Sequence, residues 1–267
     1  MNFKKQIFGF MDMLRFKKLV PTRRQMLAQG ENKPLPQEYR TNVLAKKLHP
    51  GYMQVELVAA RPLTETIREL TFKRVDSDAF PFFRAGQYVS LQMKIGDSVV
   101  SRPYSIVSTP QQALENKLVL AVENAGFVSE YLNKSAKVGD RFVMTEPSGE
   151  FHYETLRDSK DIICIAGGSG ITPFLSMAGS MADGDESYSM LLFYGARTAA
   201  QLAYKAELEA LAERCKGLKV VYVLSDEEQP GCEKGFVSAE LMKKYTDLTD
   251  HTFFLCGPPA MYAFIAK

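Results

Sequence analysis

The sequence predicts a β plus α/β chain: an N-terminal antiparallel six-stranded Greek-key barrel followed by a parallel-sheet, Rossmann-like α/β domain. Three observations predict it. From Met53 to about Tyr153, short alternating or β-branched runs recur at regular spacing between turn residues such as Gly86, Gly96, Asp97 and Gly139. After Asp158, apolar runs alternate with helical patterns, as in a sheet covered on both faces. Between the two lies Asp161 to Pro173, DIICIAGGSGITP, in which a continuous apolar run meets a glycine-rich turn and then a helix start.

The barrel strands are expected near Met53 to Arg61, Thr66 to Val75, Gln87 to Ile95, Val99 to Val107, Lys117 to Glu123 and Arg141 to Glu146, with one helix at Val128 to Lys134. The parallel strands are expected near Ile162 to Ala166, Ser189 to Tyr194, Leu218 to Leu224 and Thr252 to Cys256. Helices near Ile171 to Met181, Ala199 to Cys215 and Ser238 to Tyr245 separate them. A right-handed crossover through each helix would leave the ligand at the carboxyl ends of the strands. The Gly167 to Pro173 and Cys256 to Pro259 turns would both lie there. The chain then divides into 1–50, a basic extension; 51–157, the barrel; and 158–267, the α/β domain.

Composition bounds the function. The chain has 267 residues, 46% of them hydrophobic, and a net charge of +2. The first fifty residues carry eleven basic and three acidic side chains, an excess of eight positive charges, so the remainder is negative by six. An acidic body argues against nucleic-acid binding. No run approaches the roughly 18 apolar residues of a membrane span, and the N-terminus lacks a secretory pattern, so a cytoplasmic protein is expected. Cys164, Cys215, Cys232 and Cys256 are spread without metal or disulfide spacing, so no metal site is expected. In the extension, Phe3, Ile7, Phe10, Met11 and Leu14 recur at helical spacing among Lys4, Lys5, Arg15, Lys17 and Lys18. The stripe is expected to dock on this protein or a partner subunit, with an anionic membrane surface as the alternative. Gln29 to Pro36 reads as a linker.

Chemistry concentrates in three stretches. In GGSGITP, Gly168 and Gly170 let backbone amides approach a pyrophosphate at a helix N-terminus, the pattern of a dinucleotide turn. In RPYSIVS, Arg102 offers a bidentate fork for a diphosphate. Tyr104, two residues on, offers a flat ring on the same face, and Ser105 a hydrogen bond. CGPPAMY, Cys256 to Tyr262, follows the last strand. In this order, with AGFVSEYL (Ala125 to Leu132) and PSGEF (Pro147 to Phe151), these motifs closely resemble the ferredoxin–NADP reductase superfamily across about residues 50–267.

The resemblance implies FAD held by Arg102, Pro103, Tyr104, Ser105, Gly126, Phe127, Val128 and Ser129. It implies NAD(P)H held by Gly168, Gly170, Thr172, Arg197, Cys256, Gly257 and Pro258. It also implies a hydride passing from the nicotinamide to the flavin N5 beside Tyr104, Ser105 and Cys256, with electrons leaving to a ferredoxin-type acceptor in a separate protein or a missing C-terminal domain. The ending at Ala263 to Lys267 reads as a truncation of a longer chain. YGART after the second parallel strand has Arg197 and no ribose-binding acid, which leans toward NADPH. Asp226, Glu227 and Glu228 would repel a ribose phosphate if turned inward. The alternatives are a free-flavin or quinone reductase and a non-catalytic FAD-binding docking subunit.

Overall fold

The computed structural model describes residues 3–30 and 39–265, with side-chain detail from residue 13 onward. The chain falls into two compact units, Met1–Val43 and Leu44–Lys267. The first holds helix α1 (Phe3–Gln29), which contains Pro21, and helix α2 (Arg40–Leu48) runs across the division. Every side chain from Met13 to Gly30 is exposed. Of the apolar stripe predicted at Phe3, Ile7, Phe10, Met11 and Leu14, only Leu14 falls among the described side chains. The predicted linker lies almost wholly outside the described residues.

The second unit begins with strands β1 (Tyr52–Pro62), β2 (Ile67–Arg74), β3 (Tyr88–Ile95) and β4 (Ser98–Ser105). A short helix α3 (Pro110–Leu114), strand β5 (Leu118–Glu123), helix α4 (Phe127–Lys134) and strand β6 (Arg141–Thr145) follow. All pairings are antiparallel, in the order β4-β3-β6-β1-β2-β5. The sheet curls until its two edges meet: Ile106 bridges Leu120, and the Val107 amide donates to the Val119 carbonyl at 2.9 Å. Alternation explains the interior. Met53, Val55 and Leu57 of β1 are fully buried while Tyr52 and Gln54 between and beside them face out. Phe72 and Phe142 meet edge-on inside, with centroids 5.8 Å apart. Helix α3 was not foreseen, since five residues give no helical period. Its signal was the cap: Thr109 and Gln112 form a reciprocal capping box ahead of Pro110, worth about 1 kcal/mol.

The parallel half comprises β7 (Asp161–Gly167), a 3₁₀ turn (Gly168–Ile171), α5 (Thr172–Asp183), β8 (Ser189–Ala196) and α6 (Lys205–Arg214). It continues with β9 (Leu218–Leu224), β10 (Cys232–Lys234), α7 (Ala239–Met242), β11 (Thr252–Cys256) and α8 (Pro259–Ile265). The strand order is β10-β9-β8-β7-β11, all parallel. Three successive crossovers move one way from β7, and β11 returns to its other side. The reversal makes the gap between β7 and β11 the switch point, where a ligand crevice opens at the carboxyl ends.

Two predicted helices are shorter than expected. The run Ala199 to Cys215 breaks into a 3₁₀ turn (Ala199–Gln201) and α6, because Leu202, Ala203 and Tyr204 turn inward as core and Tyr204 adopts a left-handed φ of +61°. The run Ser238 to Tyr245 is helical only over α7, where the Ser238 hydroxyl caps the Leu241 amide at 3.2 Å. The three-residue strand β10 was too short to predict. Helix α5 is buried from Thr172 to Met181 and touches the barrel side: Ser176 Oγ donates to the Ser108 carbonyl at 2.7 Å, and a Cβ on Gly179 would lie 2.5 Å from Thr109 Cγ2.

Candidate functional site

Around the barrel seam, β4 and β5 bring two of the predicted stretches to one place. Arg102 to Ser105 lead into the Ile106 bridge, and β5 leaves its partner Leu120 toward Gly126 at the mouth of α4. Across β4 and β3, Arg102 faces Leu91 and Tyr104 faces Val89, so Arg102 and Tyr104 share a side of the strand. Tyr104 rests partly on the barrel core, and burial pushes its phenol pKa up, so the hydroxyl keeps its proton. The Arg102 guanidinium is exposed and, among the described residues, bonds only the neighbouring Ser101 carbonyl, at 2.7 Å. Pro103 pairs with Ser90 and Ser105 with Tyr88.

At α4, Ser129 Oγ accepts from the amides of Ala125 and Gly126, each at 2.9 Å, and fixes the turn. A Cβ on Gly126 would meet nothing within 4 Å, which leaves room for a phosphate above the first helical amides. Phe127 is 63% exposed beside that opening, while Val128 is buried in the barrel core. The residues therefore fit the adenine dinucleotide of a flavin: a guanidinium without an acidic partner among the described residues at the end of β4, and an open helix N-terminus after β5.

At the switch point, the turns after β7 and β11 press together. A Cβ on Gly170 would lie 2.1 Å from the Cys256 carbonyl oxygen. One on Gly167 would lie 2.5 Å from Met261 Cε, and one on Gly257 2.8 Å from Met261 Sδ. Gly168 holds φ at +55° and its carbonyl accepts the Tyr194 hydroxyl at 3.2 Å. Thr172 is buried, with Oγ1 donated to the Ser169 carbonyl at 3.0 Å. Cys256 is half-buried, and burial raises its thiol pKa, which keeps it a neutral thiol.

Over these turns lies a cleft of about 530 Å³, within the range of small-ligand sites. Of the predicted residues, Gly168, Arg197 and Pro258 line it; Gly170, Thr172, Cys256 and Gly257 lie beneath or beside it. Arg197 is 75% exposed, and its Nε donates to Asp226 Oδ2 at 2.7 Å. Glu227 is held on the Ala199 amide at 2.6 Å. Residues not foreseen also line it, among them Thr64, Thr66 and Glu123 from the barrel side, and Phe236, Met261 and Phe264 from the nucleotide side. Met261 had a signal, its place in CGPPAMY three residues after Pro258 on the opening turn of a helix. The barrel residues had none, because they reach the cleft through the packing of the two sheets.

An antiparallel barrel with an exposed arginine and an open helix N-terminus, followed by a parallel sheet with a glycine-lined crevice, is the architecture of flavin- and nicotinamide-nucleotide-dependent oxidoreductases. Residues 54–153 match the oxidoreductase FAD-binding domain and residues 164–267 the oxidoreductase NAD-binding domain. The chain belongs to the ferredoxin–NADP reductase superfamily. It is 31% identical over 213 residues to ferredoxin–NADP reductase B of Sorangium cellulosum, covering 79% of this chain and 84% of that one. It is also 31% identical over 217 residues to the reductase component of propane 2-monooxygenase from Mycolicibacterium smegmatis, covering 78% of this chain. The chain spans only 61% of that relative's length. Among solved structures, an Amycolatopsis cytochrome P450 reductase superposes with a TM-score of 0.69 at 28% identity, covering 79% of this chain and 63% of that one. Among the described residues no helix is long and apolar enough to cross a membrane, and no cluster could hold a metal ion.

Proposed function

We propose that the chain is an NAD(P)H-dependent flavoprotein reductase that delivers electrons to a ferredoxin-type acceptor. The observation that carries this reading is the shared cleft: Thr64, Thr66, Ile67 and Glu123 of the barrel side line the same space as Gly168 and Pro258 of the nucleotide turns. A dinucleotide lying across the switch point would thus extend toward the barrel that carries Arg102 and Tyr104. In this reading residues 51–157 bind FAD and 158–267 bind the nucleotide.

Arg102, Pro103 and the first amides of α4 (Phe127, Val128 and Ser129), left open by Gly126, hold the flavin diphosphate, and Tyr104 and Ser105 orient its ring. Gly168, Gly170 and Thr172 shape the turn for the nucleotide diphosphate, while Cys256, Gly257 and Pro258 border the nicotinamide. The Cys256 thiol acts by packing, since its proton is retained. Bound FAD supplies the step between a two-electron donor and a one-electron acceptor. The protein contributes alignment and exclusion of water.

Arg197 is the cation at the ribose end of the cleft and supports NADPH as the preferred donor, though its pairing with Asp226 keeps that preference small. The name of the Sorangium relative supports a ferredoxin-type acceptor. The four free cysteines agree with a reducing, cytoplasmic setting. Residues 1–50 are assigned a contact with a partner subunit or a membrane surface, supported by an exposed helix in which residues 13–29 carry five cations and no acid.

Steady-state reduction of ferricyanide tests the reading. Protein reconstituted with FAD is expected to turn over with NADPH and, with a few-fold lower kcat/KM, with NADH. Flavin-free protein is expected to be inert, and absence of turnover by the loaded protein would refute the proposal.

A further inference from the structure

The last residue of β5 reaches out of the barrel into the nucleotide cleft. Ser169 Oγ, in the glycine-rich turn, donates to Glu123 Oε2 at 2.6 Å. The same carboxylate oxygen stands 3.7 Å from where a Cβ on Gly168 would be, directly over the turn. Glu123 is exposed, and among the described residues no lysine or arginine pairs with it. Among the described residues, Glu123 and Arg197 are the only charged ones lining the cleft, and the Arg197 charge is already matched by Asp226. The site that should attract a diphosphate therefore presents one uncompensated negative charge at its anion-binding turn.

We propose that Glu123 is an electrostatic gate on nucleotide binding: its carboxylate, tethered by Ser169, occupies the mouth of the glycine turn and opposes the nucleotide's diphosphate. This rests on the reading of the Gly167–Pro173 turn as the nucleotide site. Entry of a diphosphate must displace the carboxylate from Ser169 or bear its repulsion, in a cleft whose low-dielectric walls strengthen both. The gate weakens oxidised and reduced nucleotide alike through their shared diphosphate. It therefore acts to raise KM and to hasten departure of the spent nucleotide. Its effect scales with phosphate charge and not with the nicotinamide.

Calorimetric titration of the FAD-loaded full chain with ADP-ribose and with adenosine tests this. At low salt, Glu123→Gln is expected to bind ADP-ribose about tenfold more tightly than the parent protein, with adenosine affinity unchanged. The gain is expected to shrink as ionic strength approaches 0.5 M. Ser169→Ala frees the carboxylate and is expected to give a smaller gain, of about threefold, and the double variant is expected to match Glu123→Gln alone. Equal ADP-ribose affinity in Glu123→Gln and parent, or equal tightening for adenosine, would overturn the gate and leave the nucleotide site standing. Failure of parent and variants alike to bind ADP-ribose would overturn the nucleotide site and the gate with it.

Discussion

The carbonyl oxygen of Cys256 stands 2.1 Å from the point where a side chain on Gly170 would begin, and its carbon 2.5 Å. The glycine is therefore dictated by the turn after β11 as well as by any ligand. Because the obstruction is backbone, no side-chain rotation relieves it. Gly170→Ala is expected to part the two turns, cost about 3 kcal/mol of stability or more, and abolish nucleotide binding. Flavin retention, which depends on the barrel, is expected to survive. Chemical denaturation and nucleotide titration of the variant check both halves.

Arg102 holds no acidic partner among the described residues, so its guanidinium is available to a diphosphate. Arg102→Lys keeps the charge and loses the fork. FAD affinity is expected to fall about tenfold in the lysine variant and about 100-fold in Arg102→Ala. Fluorescence titration of flavin-free protein with FAD measures each, and equal affinities in all three proteins would remove Arg102 from the flavin site.

The exposed Arg197–Asp226 pair is the proposed determinant of the NADPH to NADH ratio. Asp226→Asn frees the guanidinium for a 2′-phosphate and is expected to raise the NADPH to NADH ratio of kcat/KM about threefold. Arg197→Ala is expected to lower it below that of the parent. Unchanged ratios in both would remove the pair from donor selection.

Between the two sheets, the Asp158 carboxylate accepts from the Glu154 amide at 2.8 Å and from Arg157 Nη2 at 2.8 Å. The Arg157 hydrogen bond holds the pKa of Asp158 below its ordinary value, with the Glu154 amide adding to it. A depressed folded pKa contributes stability that is fully present above the unfolded value of about 3.9. That stability is lost as the pH falls through the folded value. Asp158→Asn is expected to cost about 1–3 kcal/mol at pH 7 and to show a flatter loss of stability below about pH 4 than the parent. Urea unfolding midpoints between pH 7 and 3 provide the comparison.

Much of the fold was legible because the two halves speak in different periods. Met53, Val55 and Leu57 alternate, as a curled sheet with one buried face requires, and Ile162 to Ala166 form an unbroken apolar run, as a central parallel strand requires. Elements too short to repeat a period gave little: α3 left only its capping box, and β10 and the break at Tyr204, where a non-glycine residue takes a left-handed backbone with its ring buried, left nothing. The glycines of GGSGITP and CGPPAMY were visible, but the reason for Gly170 was not, since the Cys256 carbonyl approaches it from 86 residues away in sequence. Glu123 was invisible as a cleft residue for the same reason. It meets Ser169 only once the barrel and the parallel sheet are packed together.

The visible absorbance spectrum of the FAD-loaded protein, recorded anaerobically before and after addition of NADPH and separately of NADH, shows whether a nucleotide passes hydride to the bound flavin. A protein-bound flavin band that bleaches with either nucleotide, and faster with NADPH, is expected. A bound flavin band that neither nucleotide bleaches would contradict that transfer and favour a docking subunit that carries FAD without reducing it.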